Sequence, residues 1–146
     1  MSTPLGEIAA RISGEVSDLD AAVRKALRSW AAVGKGTAEQ DVYLDSVALN
    51  LHSFYSGLER LFELIARTID QKMPDGESWH RELLLQMTRD MPDMRPAVIS
   101  EGSADRLEEF RRFRHLVRNV YASDLIPAKM ASLLAELPGM WGRPVR

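Results

Sequence analysis

Cysteine is missing from all 146 residues, so disulfides, thiolate nucleophiles and cysteine-ligated metals are excluded at the outset. Histidine is scarce. His52, His80 and His115 lie on separate predicted helices, and no His-Glu-x-x-His appears, which leaves too few ligands in one place for a zinc site. No metal and no cofactor is therefore expected. Long apolar runs are absent too: nothing approaches the roughly 20 residues of a membrane helix, and no basic start leads into an apolar signal core, so the expected location is the cytoplasm. There is no glycine-rich phosphate loop and no Gly-x-Ser-x-Gly elbow, which leaves nucleotide hydrolysis and serine hydrolase chemistry without support. Alternating runs of β-branched residues are missing, so no sheet is expected. The net charge of −2 means that any polyanion must be drawn by a local patch rather than by the molecule as a whole.

What is present is helical periodicity. Leu5, Ile8, Ile12, Val16, Leu19, Val23, Leu27 and Trp30 recur every three or four residues and predict a helix from Pro4 to about Val33, stopped by Gly34-Lys35-Gly36. Leu44, Val47, Leu51, Phe54, Leu58, Leu61, Ile65 and Ile69 predict a second helix, capped by Thr37 and running to Met73 before Pro74-Asp75-Gly76. At 1.5 Å per residue that is a rod of roughly 54 Å. A third helix is predicted over about Ser78–Met91, a fourth over Ser103–Ala122 and a short fifth over Pro127–Leu137, with an ordered but irregular loop over Pro92–Ser100. Long helices joined by short turns hide their stripes only against one another. The expected fold is thus all-α, an antiparallel bundle of four main helices plus a short fifth, forming one domain over residues 1–137. Residues 138–146, with two glycines and two prolines, are expected to form a flexible tail.

The cations are unevenly spread. Arginine supplies 15 of the 19 basic residues, and Arg111, Arg112, Arg114 and Arg118 fall within eight positions of the fourth helix. On a helical wheel Phe110, Phe113, Leu116, Val117 and Val120 face the core, while Arg111, Arg114, His115, Arg118 and Asn119 share an arc of roughly 140°, bordered by Tyr121. Guanidinium groups so aligned repel one another unless an anion covers them, and Glu108 and Glu109 neutralise only part of the charge. Two readings follow: a phosphodiester lies over the face, held by paired N–H donors, or acidic side chains of a neighbouring helix or subunit do.

The string FRHLVRNVY, Phe113 to Tyr121, resembles the active-site helix of the HEPN superfamily and in particular of the HepT-like ribonuclease toxins, whose motif runs arginine, four residues, histidine, one residue, tyrosine. The resemblance extends to YLDSVALNLHSFYSGLERLFELIA, Tyr43 to Ala66, and to WHRELLLQM, Trp79 to Met87. It implies a HEPN-like bundle that forms a homodimer, sets two motif helices across a cleft and cuts RNA without metal. It also implies a partner, a cognate nucleotidyltransferase antitoxin that adenylylates the motif tyrosine in some systems. Here Arg114 occupies the arginine position and Tyr121 the tyrosine position, but Asn119 stands where histidine is expected.

That departure bears on the chemistry. Cleavage needs a base for the ribose 2′-hydroxyl, a cation for the pentacoordinate phosphoryl and an acid for the leaving 5′-oxygen. Asparagine only orients or hydrogen-bonds. His115, one turn earlier on the same face, is the candidate proton carrier, with Arg114 as phosphate clamp, Arg118 as second clamp and Asn119 as orienting group. Arg111 and Arg60 are candidate RNA contacts. The rival readings are a silent HEPN subunit that binds RNA or docks to the nucleotidyltransferase, and a plain oligomeric scaffold. Tyr121 is either a modification site or a core residue with a wet hydroxyl.

On the second helix His52, Ser56 and Glu59 follow helical spacing and read chiefly as structural residues, Arg60 being the exception. Glu77-Ser-Trp-His80 spells half of a di-iron signature, but it occurs once, where the chemistry needs two such pairs. Trp30, Trp79 and the methionines read as core or interface filling.

Overall fold

The computed structural model describes residues 4–33, 39–119 and 127–141. Its elements are α1 (Pro4–Val33), α2 (Gln40–Ile65) with a π-helical turn (Ala66–Asp70), α3 (Trp79–Met87), α4 (Glu101–Asn119) and α5 (Pro127–Trp141). No strand occurs among the described residues; the nearest approach is an isolated antiparallel bridge between Met91 and Arg95.

The largest interface joins α1 and α2, which run antiparallel. Ser29 bonds Ser46 across it at 2.7 Å, Leu19 meets Gly57, and Glu15 reaches Arg60 at 3.4 Å, so position falls on one helix as it rises on the other. At Gly57 the helices come so close that an added Cβ would lie 2.8 Å from Leu19 Cδ2. The apolar stripe of α1 is only partly used. Leu19, Ala22, Val23 and Ala26 are buried, whereas Ile8, Ile12 and Val16 are half-buried. The N-terminal half of α1 thus lies at the margin of the core rather than in it.

The second helix departs from the expected rod. Its α-helical part ends at Ile65, the π turn follows, and Gln71 stops it in the left-handed conformation at φ 55°. The backbone N–H groups of Gln71 and Lys72 both donate to Ala66 O, closing the helix before Pro74 is reached. Asp70 therefore lies at a helix C-terminus, where a carboxylate is disfavoured by the helix dipole. Arg95 answers it from the connecting loop. Its Nε donates to Oδ1 at 2.7 Å and its Nη2 to Oδ2 at 2.6 Å, while Gln86 Nε2 donates to Oδ2 at 2.7 Å. Burial alone would raise the Asp70 carboxyl, but the hydrogen bonds from Arg95 and Gln86 and the nearby positive charge hold it below its ordinary value.

This pair also explains why the loop over 92–100 is ordered. Met91 and Arg95 exchange backbone hydrogen bonds at 2.9 Å around Asp93, whose φ is 67°. Val98 and Ile99 donate to Met87 O and close the end of α3, so that helix stops at Met87 rather than Met91. Ser100 Oγ accepts from Ser103 N at 3.0 Å and caps α4, which starts earlier than the sequence predicts.

The C-terminal boundary needs correction as well. The fifth helix does not stop at Leu137 but continues through Pro138 to Trp141. Met140 and Trp141 pack on the core, Trp141 meets the Phe54 ring edge-on at 5.6 Å, and its Nε1 donates to Asp20 Oδ1 at 2.7 Å. Residues 138–141 belong to the packed domain, and residues 142–146 lie outside the described residues. All five helices meet at α2: Val47, Leu51, Phe54 and Tyr55 are buried with Leu83 and Met87 of α3, Leu107, Phe110 and Phe113 of α4, and Met130 and Leu137 of α5.

Candidate functional site

The apolar side of α4 is built as the wheel predicts for its described part, but the cations do not share one open face. Leu107, Phe110 and Phe113 are buried, which turns Arg111, Arg114 and His115 toward its outer and flanking surfaces. These flanks differ in their surroundings.

On one flank Arg114 folds inward. Its side chain retains 12% exposure, and Nη1 donates to Glu59 Oε1 of α2 at 3.1 Å. The guanidinium lies 5.1 Å from the centre of the Tyr55 ring, one helical turn before Glu59, so α2 offers it both a carboxylate and an aromatic face. The other oxygen of Glu59, Oε2, faces Nδ1 of His80 at 2.6 Å. The His80 ring in turn stacks on Trp79 with centroids 3.6 Å apart. One carboxylate from α2 thus joins an imidazole from α3 to a guanidinium from α4. Burial, followed by the Glu59 charge, pushes the Tyr55 hydroxyl well above its ordinary range, so this phenol stays protonated.

Arg111 is engaged within its own helix. Its Nε lies 3.0 Å from each oxygen of Glu108, and Nη2 also reaches Oε1. The hydrogen bonds from Arg111, stronger in effect than the partial burial, hold the Glu108 carboxyl below its ordinary value, and the same contact raises Arg111.

On the other flank α4 and α5 enclose an open cleft of about 390 Å³, lined by Arg112, His115, Lys129, Ser132 and Glu109 with Phe113 and Leu133. His115 and Arg112 are exposed there. A cleft lined by a histidine, two cations and a hydroxyl, with one carboxylate from Glu109, has donors suited to a phosphate ester.

The remaining predicted residues separate from these. Arg60 is 57% exposed and turns toward α1, where its Nε meets Glu15; it does not join Arg114. Tyr121 and the side chains of Arg118 and Asn119 lie outside the described residues. The covering of the arginine face by acids from a neighbouring helix holds for Arg114, through Glu59. Glu77 is exposed and takes no part with His80, whose carboxylate partner is Glu59, so the half di-iron spacing corresponds to no carboxylate pair around that histidine.

Sequence reasoning undervalued Glu59. A carboxylate four residues after Tyr55 and one after Leu58 falls on the buried face of α2, where it is only 8% exposed. A charge placed there requires a partner, and that requirement is the signal that points to it.

A bundle of antiparallel helices carrying an arginine-rich helix against a buried carboxylate defines the class as an all-helical domain with a cationic flank. The sequence matches the family described as HepT-like protein over residues 46–143, and the chain belongs to that family, which is of the HEPN type. The match takes in α3, α4 and most of α2, and so contains Tyr55, Glu59, His80, Arg114 and His115 together. No curated protein and no solved structure is detectably similar to the chain.

Proposed function

We infer that this chain is the ribonuclease component of a toxin–antitoxin pair, a metal-independent endoribonuclease working at the cleft of a homodimer, with a nucleotidyltransferase as cognate antitoxin. Membership of the HepT-like family supports the toxin–antitoxin context. The observation that carries the reading is that α4 holds Arg114, clasped by Glu59, on one flank and His115, opening on a cleft with Arg112 and Lys129, on the other, an arrangement that two copies facing each other would bring together.

In this reading the reaction is transesterification. The ribose 2′-oxygen attacks phosphorus, the bond to the 5′-oxygen breaks, and the products are a 2′,3′-cyclic phosphate and a free 5′-hydroxyl. Arg114 stabilises the charge that builds on the phosphoryl oxygens, because its planar fork has N–H donors beyond the one given to Glu59. His115 carries a proton to the leaving oxygen, and Asn119 orients the substrate by hydrogen bonding. Arg118 and Arg111 supply further phosphate contacts, and Arg60, exposed on the α1 side of α2, meets a strand long enough to pass that helix. Tyr121 is the acceptor for adenylylation, and the added nucleotide blocks the cleft.

The test is cleavage of end-labelled RNA in EDTA by the wild type and by Arg114→Ala and His115→Ala. Loss of cleavage in both variants with the cyclic phosphate as wild-type product supports the reading. Undiminished cleavage in both overturns the site assignment, and a wild type that binds RNA without cutting it favours the silent HEPN subunit.

A further inference from the structure

General acid–base cleavage of RNA needs two proton carriers, and α4 offers one histidine, His115, because its motif position is Asn119. We propose that Glu59 and His80 form a carboxylate–imidazole dyad that supplies the second carrier, with Nε2 of His80 as the base that takes the 2′-hydroxyl proton beside Arg114. This deepens the ribonuclease reading and rests on it.

The geometry has three parts. First, His80 Nδ1 lies 2.6 Å from Glu59 Oε2. A carboxylate that is ion-paired to Arg114 has only lone pairs to offer, so Nδ1 carries the hydrogen and donates it. In the ring's uncharged form the lone pair then resides on Nε2, the nitrogen not held by the carboxylate, and this is the tautomer a base requires. Second, the ring is oriented from two sides, by the Glu59 contact and by the Trp79 stack at 3.6 Å, yet the side chain keeps 26% exposure. Third, Glu59 holds Arg114 through its other oxygen at 3.1 Å, so the phosphoryl-binding cation and the base are set by one carboxylate rather than by separate supports. Glu59 is a positioning residue in this scheme, and His80 touches the substrate.

The step balances without another reactant. Nε2 of His80 accepts the 2′-hydroxyl proton as the oxygen–phosphorus bond forms; the bond from phosphorus to the 5′-oxygen breaks, and that oxygen takes its proton from the His115 facing it across the homodimer cleft, because within one chain His115 opens on the opposite flank of α4. Solvent then returns both histidines to their starting states.

The experiment compares the full-length wild type with His80→Asn, His80→Gly and Glu59→Gln. Asparagine retains an amide N–H for Glu59 but carries no proton. His80→Asn is expected to cleave RNA about 10²–10⁴-fold more slowly while binding it within about threefold of the wild type. Added imidazole is expected to restore part of the cleavage in His80→Gly, an outcome that a merely structural histidine does not produce. Glu59→Gln is expected to lower kcat more than it changes KM. A nuclear magnetic resonance titration of the wild type with uridine 3′-monophosphate reads the same contact without any variant: the His80 ring signal is expected to move. Wild-type cleavage with His80→Asn equally fast overturns the dyad and leaves the ribonuclease reading intact. Slow cleavage in His80→Gly that imidazole does not restore, or a His80 signal that stays still, likewise overturns the dyad alone. A wild type that cuts no RNA overturns both.

Discussion

Arg114 meets a structural demand and, in the proposed reaction, a chemical one. Near the buried core of α4 a guanidinium requires a counter-charge, and Glu59 provides it. Because that contact uses one N–H, further donors remain on the guanidinium, and in the proposed reaction they meet the phosphate. Arg114→Ala is expected to reduce RNA cleavage by about 10²–10³-fold, and Arg114→Lys to recover little of it, since an ammonium lacks the planar fork; single-turnover cleavage rates measure both. The same reasoning applies to Asp70, whose exposure in the side chain is 0% and whose carboxylate faces Arg95 in a paired geometry. Removing the acid in Asp70→Ala leaves a buried guanidinium without its partner and is expected to cost about 3–5 kcal/mol in urea unfolding.

The Asp70 shift also fixes a pH dependence with a definite sign. The folded-state value lies below the ordinary 3.8, so the unfolded chain takes up the proton first as acid is added. The stabilisation is therefore complete above the unfolded value and fades as pH falls through the folded one. Urea midpoints near neutrality and at about pH 3 are expected to differ more for the wild type than for Asp70→Asn, which has no carboxyl to titrate at that position. Glu108, also held low by Arg111, adds to the wild-type loss in the same direction, but its partly exposed pair contributes less.

At the scale of elements, the α1–α2 contact and the end of α5 decide most. Gly57 lets Leu19 sit against the α2 backbone, and Leu19 is only 1% exposed, so neighbours surround it. Gly57→Val gains a little helix propensity but drives a branched side chain into that contact. The expected net loss is about 1–3 kcal/mol, seen as a fall of several degrees in Tm by circular dichroism. Cutting the chain after Leu137 removes Met140 and Trp141 from the core and breaks the bond to Asp20. That truncation is expected to lower stability by about 2–4 kcal/mol, measurable by urea denaturation.

The helix ends illustrate which local features a sequence reveals. The start of α1 at Pro4 and its end at Val33 follow from periodicity and the glycines after it. The end of α2 does not, because Gln71 and the π turn have no strong composition cue and are stabilised by a hydrogen-bond network reaching from Asp70 to Arg95. Pro138 misleads in the opposite sense. A proline ordinarily ends a helix, yet apolar packing by Met140 and Trp141 beyond it carries the helix on.

For the whole molecule, no helix among the described residues is long and apolar enough to cross a membrane. With a total charge of −2, any RNA binding has to originate locally, in the arginines of the second half of α4 and in Lys129. Raising salt is expected to weaken binding with a slope near −0.7 per phosphate neutralised, and Arg111→Ala or Arg112→Ala to reduce that slope; filter binding across a salt series reads it. The half-buried apolar residues Ile8 and Ile12 mark the part of the α1 stripe that the core covers incompletely.

The sequence alone determined the all-helical architecture, the pairing of α1 with α2 and the concentration of arginine on α4, because apolar period, turn residues and charge are local properties that act along the chain. It also carried the resemblance that the family match over residues 46–143 establishes. Only the tertiary structure decided that Arg114 meets Glu59, that His80 shares that carboxylate, and that Arg60 turns away toward Glu15. Those partners lie 55, 21 and 45 positions apart. Their meeting depends on how helices cross in space, where desolvation makes each buried charge require its counterpart, and no spacing within one helix encodes that choice.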